Sequence, residues 1–205
     1  MNSHKYGPVI KTLSKNKKTV VMSIKTFKNY SYDQLISSGI TFGSNVNISN
    51  DVIINNPQNI QIGNNVRIDS HCILIAGKNN KITIGNNVHI AAGCYLFGSN
   101  ADIVFEDYSG ISPNVVIYTA SDDYTEGYMT NPTVDISFRK IKSGDVILKK
   151  HVIVGSGSIL LPNIILEHGT SVGANSLVTK STEPFDFIFG SPAKFFKKRK
   201  NVYLN

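Results

Sequence analysis

Aliphatic side chains recur along this chain at intervals of six. Leu148, Val154, Leu160, Leu166, Val172 and Val178 keep that interval without a break. Four positions after Val154, Leu160, Leu166 and Val172 stand Ser158, Ile164, Thr170 and Ser176, all small or β-branched. The same register runs through Ile62, Ile68 and Leu74, through Ile84, Ile90 and Leu96, and through Phe105, Ile111 and Ile117. Ile48, Ile54 and Ile60 keep it near the start. A helical face recurs every ~3.6 residues and a strand face about every 2, so neither element alone makes this period. A short strand followed by a corner does. Three such sides close one coil of a triangular solenoid, and the stacked anchors form a continuous core. Gly63-Asn64-Asn65 and Gly85-Asn86-Asn87 fall where corners belong, in residues that tolerate positive φ.

Coil length locates what does not fit. Corresponding segments end at Val46, Val66, Val88, Ser109, Val152 and Thr170, in steps of 20, 22, 21, 43 and 18 residues. The last is three hexapeptides. The step of 43 holds 25 residues beyond one such coil, placed between about 118 and 144, and they must leave the solenoid as a loop. The expected organisation is a cap segment over 1–38, a solenoid over 39–180 with its excursion at 118–144, and a tail over 181–205. A short helix is expected around Tyr32 to Ser37, covering the open end of the first coil. Ala193 to Lys200 reads as a short basic helix.

Composition narrows the class. Hydrophobic residues make 41% and charged ones 17%, the balance of a globular protein. No apolar run approaches the roughly 18 residues a membrane span needs, and the N-terminus lacks an apolar secretory segment. The expected location is the cytoplasm, with work beside the inner face of a membrane left open. Cys72 and Cys94 are too few for a disulfide scaffold or a self-sufficient zinc site. Each falls four residues after an anchor, which makes both of them buried thiols on successive coils. The net charge of +7 gathers at Lys194, Lys197, Lys198, Arg199 and Lys200. It comes without any nucleic-acid-binding signature, and a compact polyphosphate ligand accounts for it equally well.

Three segments then resemble the hexapeptide-repeat acyltransferases of left-handed parallel β-helix fold, in particular the galactoside and maltose acetyltransferases and the sugar acetyltransferases of surface-polysaccharide synthesis. They are Val152 to Ile159, Val172 to Lys180 and Gly190 to Lys194; the resemblance extends over roughly 40–200. It implies a homotrimer with active sites between subunits, acetyl-coenzyme A as co-substrate, no metal, and a sugar, nucleotide-sugar or glycan acceptor. Carried over by position, Ser156, Ala174, Thr179 and Lys180 would touch coenzyme A. Lys194 and Lys197 fall near where the family keeps arginines facing its phosphates, and a lysine there is a point charge rather than a fork. Small residues also suit a tight coil, which accounts for Gly155 and Ser158 but not for Thr179-Lys180 with the Pro192 to Lys194 tail.

The resembling sugar acetyltransferases keep a catalytic histidine after the coil that leads into the long loop, as general base. Aligning Ile111 to Tyr118 with that coil puts Asp122 in its place. Three readings are open. Asp122 or Asp123 is the base, with its pKa raised by burial between subunits. Alternatively another histidine serves, from a neighbouring subunit. In the third reading the acceptor is an amine and needs no strong base. As the base, His89 is the first candidate, because Gly110 occupies the position matching it one coil later and leaves space beside the imidazole, and Asp122 is the second. His151 and His168 lie at turns, where solvated structural roles are expected, and His4 sits in the N-terminal tail. In the loop, Asp123, Tyr124 and Asn131 are candidate substrate contacts, with Glu126, Tyr128 and Arg139 nearby, since aromatic faces and directional polar groups suit a sugar. The leading expectation is acetyl transfer to a sugar hydroxyl. The alternatives are transfer to an amino group of a nucleotide-linked sugar and a non-catalytic solenoid that binds a partner. The zinc-dependent carbonic anhydrase branch of this fold wants three converging histidines, and no matching triplet is present.

Overall fold

The computed structural model describes residues 28–200. The first 27 residues, with His4 and most of the expected cap segment, and the last five lie outside the described residues.

Short strands stack into three parallel sheets that form the faces of a prism. The first face holds Thr41–Phe42, Ile60–Ile62, Ile82–Ile84, Ile103–Phe105, Val146–Leu148 and Ile164–Leu166. The second runs from Val46–Ile48 through Val66–Ile68, His89–Ile90, Gly110–Ile111, Ile153–Val154 and Ser171–Val172 to Asp186–Phe189, seven coils in all. The third begins at Ile53–Asn55 and ends at Leu177–Val178. Each strand pairs in register with its counterpart one coil on, as Ile103 does with both Ile82 and Val146. Alternate residues therefore point in and out, and the inward rows are the hexapeptide anchors. Leu148, Val154, Leu160, Leu166, Val172 and Val178 are all buried, as are Cys72 and Cys94. Phe105, Ile60, Ile82 and Ile103 fill the middle of the same core.

The corners carry the polar work. Where the first face meets the second, Asn45, Asn65 and Asn87 adopt left-handed backbone in successive coils, and their side-chain amides bond along the stack at 3.0 and 3.3 Å. Asparagine takes this conformation readily. Tyr108, His151 and Phe185 occupy the same corner in later coils, at φ of 61°, 62° and 60°. Such residues pay roughly 1–2 kcal/mol each for it. Gly63 and Gly85 serve a different end from the positive φ expected of them, which Gly169 alone of the corner glycines takes up here, at φ of 71°. A Cβ on Gly63 would stand 2.8 Å from the Gly85 backbone, so Gly63 is there to let coils approach.

Helix α1, Tyr32–Ser38, closes the open end. Ser31 and Gln34 form a capping box, Gly39 ends the helix with φ of 87°, and Leu35 enters the core. At the other end the expected basic helix is absent. Lys194–Lys198 is instead a strand, antiparallel to Asp186–Phe189 at the edge of the second face. The tertiary contacts of its rings outweigh helical propensity here: Phe196 packs edge-on against Phe187 and Phe189. The solenoid therefore runs on past Lys180 to Phe189.

Candidate active site

The 43-residue step leaves the prism after Val116–Tyr118 and comes back at Val146–Leu148. Its two ends pair as an antiparallel ribbon, Ala120–Asp122 with Ile141–Ser143. Between them the chain folds on its own side chains. Asp123 Oδ1 accepts from Thr125 N and Oγ1, Asn131 Oδ1 from Thr133 N and Oγ1, and Asp135 Oδ1 from Ser137 N and Oγ. Local turns of this kind are what Asp and Asn followed two residues later by Ser or Thr make.

Asp122 is held by the loop that starts from it. Arg139 directs Nε and Nη2 at Oδ1, at 3.0 and 2.7 Å, and the Asn131 backbone N–H donates to Oδ2 at 2.9 Å. Both side chains of the ion pair are largely covered, 17% exposed for Asp122 and 12% for Arg139. The Arg139 hydrogen bonds, followed by that of Asn131, hold the Asp122 carboxyl below the ordinary carboxylate range. Asp123 is buried, and the Thr125 hydroxyl above all brings its pKa down to about 2. Among the described residues its Oδ2 takes no well-aligned hydrogen bond, but it faces the Lys142 ammonium at 3.1 Å. Within the single subunit both pKa values therefore move down rather than up, because each carboxylate is supplied with donors. Both are charged at neutral pH.

Ser121 to Thr125, Lys142, Leu161, Pro162 and Thr179 surround a pocket of about 260 Å³. It brings Asp122 together with Tyr124 and with Thr179, one of the residues assigned to coenzyme A. Asn131 meets Asp122 through its backbone, while its side chain caps its own turn. Asp123 is likewise occupied as the anchor of its turn. Ser156 and Ala174 stack at the corner between the second and third faces, where Asn175 N donates to Ser156 O. The turn leading to Lys194 packs on this corner, through Leu177 N to Gly190 O and Ala193 N to Leu177 O. Lys180 and Lys197 are exposed elsewhere, the first beyond Thr179 and the second on the terminal strand. Gly155 and Gly173 need no ligand to explain them, since a Cβ on either would strike the next coil, at 2.6 and 2.7 Å.

His89 is not brought to Asp122 within the subunit. It stands outward on the second face, paired with Gly110 as expected, and its Nε2 lies 2.8 Å from Asp69 Oδ2. Arg67 grips the same carboxylate with two hydrogen bonds, of 2.7 and 2.9 Å. Burial opposes the charge on Asp69, but Arg67 and His89 outweigh it and the pKa falls. His151 and His168 lie at turns as expected, but each is half-buried rather than freely solvated. They line one pocket with His89 and Tyr108, and burial leads the causes that lower the His151 pKa. Aligning coils by their left-handed corner would have exposed this, because Asn45, Asn65 and Asn87 give way there to Tyr108 and His151. The role of Arg139 had no such signal. Among the described residues no group of three or more His, Cys, Asp or Glu is placed to hold a metal, and no helix is long and apolar enough to cross a membrane.

No protein-family model matches the chain. A dTDP-4-amino-4,6-dideoxy-D-glucose acyltransferase of Escherichia coli is 41% identical over 162 residues, 79% of this chain and 83% of that protein. The N-acyltransferase AntD of Bacillus cereus, solved with dTDP and coenzyme A, is 40% identical with a TM-score of 0.79, across 84% of this chain and 91% of its own. A maltose O-acetyltransferase of Clostridium difficile 630 is 23% identical with a TM-score of 0.51, over 82% and 74% of the two chains, a likeness of fold alone. AntD has been solved with substitutions at one serine and at one aspartate ten positions further on. Among the described residues of this chain, that spacing occurs at Ser112 and Asp122 and at Ser176 and Asp186. The latter two are both buried in the prism.

Proposed function

Because the chain belongs to the hexapeptide-repeat acyltransferases of left-handed β-helix fold, we propose that it moves an acyl group from coenzyme A to the amino group of a nucleotide-linked amino sugar, with Asp122 as the residue that receives the amine. The hydroxyl acceptor expected from the sequence resemblances gives way here, since along most of the chain this protein matches AntD, an N-acyltransferase, and an acyltransferase named for a dTDP-linked 4-amino sugar. The observation that carries the proposal is the charged Asp122 carboxylate, clamped by Arg139 and Asn131 where resembling O-acetyltransferases keep a histidine.

The chemistry follows from that charge. A sugar hydroxyl is a weak nucleophile until a base takes its proton, and a carboxylate with a lowered pKa is a poor base for the task. An amine carries its own lone pair once one proton has left. Among the described residues Asp122 Oδ2 accepts the Asn131 N–H and no other, which leaves lone-pair capacity to bind and orient an ammonium or amine N–H. The amine nitrogen then attacks the thioester carbonyl carbon. A C–N bond forms as the C–S bond breaks, and the proton lost by nitrogen leaves through Asp122 to the departing thiolate. Thr179 ties this pocket to the coil that resembles the coenzyme-binding region. Ser156, Ala174 and Lys194 gather at the neighbouring corner and suit the pantetheine and phosphate arms, with acetyl-coenzyme A the expected donor. The spacing of Ser112 from Asp122 also supports this position for the site.

The working assembly in this proposal is a homotrimer with sites between subunits. The outward row of the third face supports it: Ile53, Ile73, Tyr95, Val116, Ile159 and Leu177 align through six coils with no charge among them. The test is thiol release from acyl-coenzyme A with a panel of nucleotide-linked amino and hydroxy sugars. Release that depends on a dTDP-linked amino sugar, yielding an amide by mass spectrometry, is expected. Release that depends only on hydroxy sugars would overturn the proposal.

A further inference from the structure

A larger pocket, of about 470 Å³, opens away from Asp122 over the corner between the first and second faces. Asn87, His89, Tyr108, Gly110, His151 and His168 are among its walls, and acyl transfer at Asp122 uses none of them. The corner is filled by asparagine in three coils and then by Tyr108 and His151, although asparagine suits that backbone better. Their rings lie parallel, 7° apart with centroids 5.1 Å apart, and His168 meets His151 edge-on. Tyr108 remains 54% exposed at the end of this stack, on the Asn87 side. Beside it the outward row of the second face is interrupted. His89 and Ile153 flank Gly110 across the ladder, and a Cβ there would come 3.2 Å from the His89 carbonyl. Cationic groups close the rim. Arg199 donates to the carbonyls of His151 and Gly169 at 3.1 and 3.3 Å, and Lys200 follows it.

We propose that this pocket binds the nucleotide portion of a substrate, with the base stacked on Tyr108 and the phosphates turned towards Arg199 and Lys200. An exposed ring over a glycine that carries no side chain takes a planar base, the Asn87 amide and the imidazoles can meet its polar edge, and the cations meet the phosphates. The inference rests on the transfer reaction proposed above, in which both substrates carry this chemistry. The acceptor would supply a dTDP group and the coenzyme a phosphorylated adenosine.

Titration calorimetry of the full chain with dTDP and, separately, with adenosine 3′,5′-bisphosphate tests it. The variants are Tyr108→Asn and His151→Asn, which restore the residue of the preceding coils and should keep the fold, as thermal melting will verify. One nucleotide is expected to bind the wild type and to weaken roughly 5- to 150-fold in Tyr108→Asn. Loss of dTDP assigns the pocket to the acceptor, and loss of the bisphosphate assigns it to the coenzyme. Equal binding to wild type and both variants would overturn the site yet leave amine transfer standing, since that is read separately as amide product. Absence of binding by either nucleotide to the wild type would overturn it too.

Discussion

The prism and the loop are built on opposite terms. In the prism most inward side chains belong to a row repeated from coil to coil, and their neighbours are mostly apolar. In the loop the side chains that matter occur once, and they are charged: Asp122 with Arg139, Asp123 with Lys142, Glu126 with Lys140. A repeat makes a rigid support but offers the same surface at every coil. Chemistry needs a place unlike its neighbours, and the excursion supplies one. Stability should therefore answer to changes in the prism, and transfer to changes in the loop.

Asp122→Asn should separate the two most sharply. It is expected to lower acyl transfer by about 100-fold or more, read by thiol release, with the melting temperature nearly unchanged. Ile103→Ala should do the reverse. Ile103 is fully buried between Ile82 and Val146, and its truncation should cost about 2–5 kcal/mol in denaturant unfolding. Turnover per folded molecule should stay as it was. A loss of turnover without a loss of stability in Ile103→Ala would break the comparison.

Smaller effects sharpen it. Arg139→Gln removes the foremost cause of the low Asp122 pKa. In the proposed mechanism the transfer rate depends on the charged carboxylate and falls as pH drops through that pKa. The acid limb of kcat/KM should thus move to higher pH in the variant, with a loss of about ten-fold or less near neutrality. An acid limb that stays in place would remove Arg139 from this role. The smallest effect concerns the loop's own stability. Asp123 ionises at about 2 in the folded loop against an ordinary value of 3.8. Its contribution is present above 3.8 and lost as pH falls towards 2. Limited proteolysis within 119–144 by an acid-active protease should accelerate over that window, while the prism resists. In Asp123→Asn the acceleration should be absent.

The prism was legible in the sequence because a period is a local signal that tertiary structure repeats. Each anchor from Leu148 to Val178 is buried, and Cys72 and Cys94 sit inside as their register required. The neighbouring Cys72 thiol and burial push the Cys94 thiol up, which suits an inert core residue. The terminal strand was misread for lack of such a period. Lys194 to Lys200 suits a helix by propensity, and only the ring cluster with Phe187 and Phe189 makes it a strand. The loop was legible in extent but not in wiring. The length excess placed it, and alignment with the resembling coil put Asp122, the second candidate after His89, at the catalytic position. That Arg139, seventeen residues on, folds back to fix its charge follows from turns at Asp123, Asn131 and Asp135 acting together. No spacing rule encodes that return.

The central claim is that a clamped carboxylate selects an amine. The most direct measurement is a competition: wild-type protein, acetyl-coenzyme A, and equal amounts of a dTDP-linked 4-amino-sugar and its 4-hydroxy counterpart, with products identified by mass spectrometry. The account predicts the amide, with little or no ester. Ester as the main product would contradict it and return the enzyme to the hydroxyl acceptors its sequence first suggested.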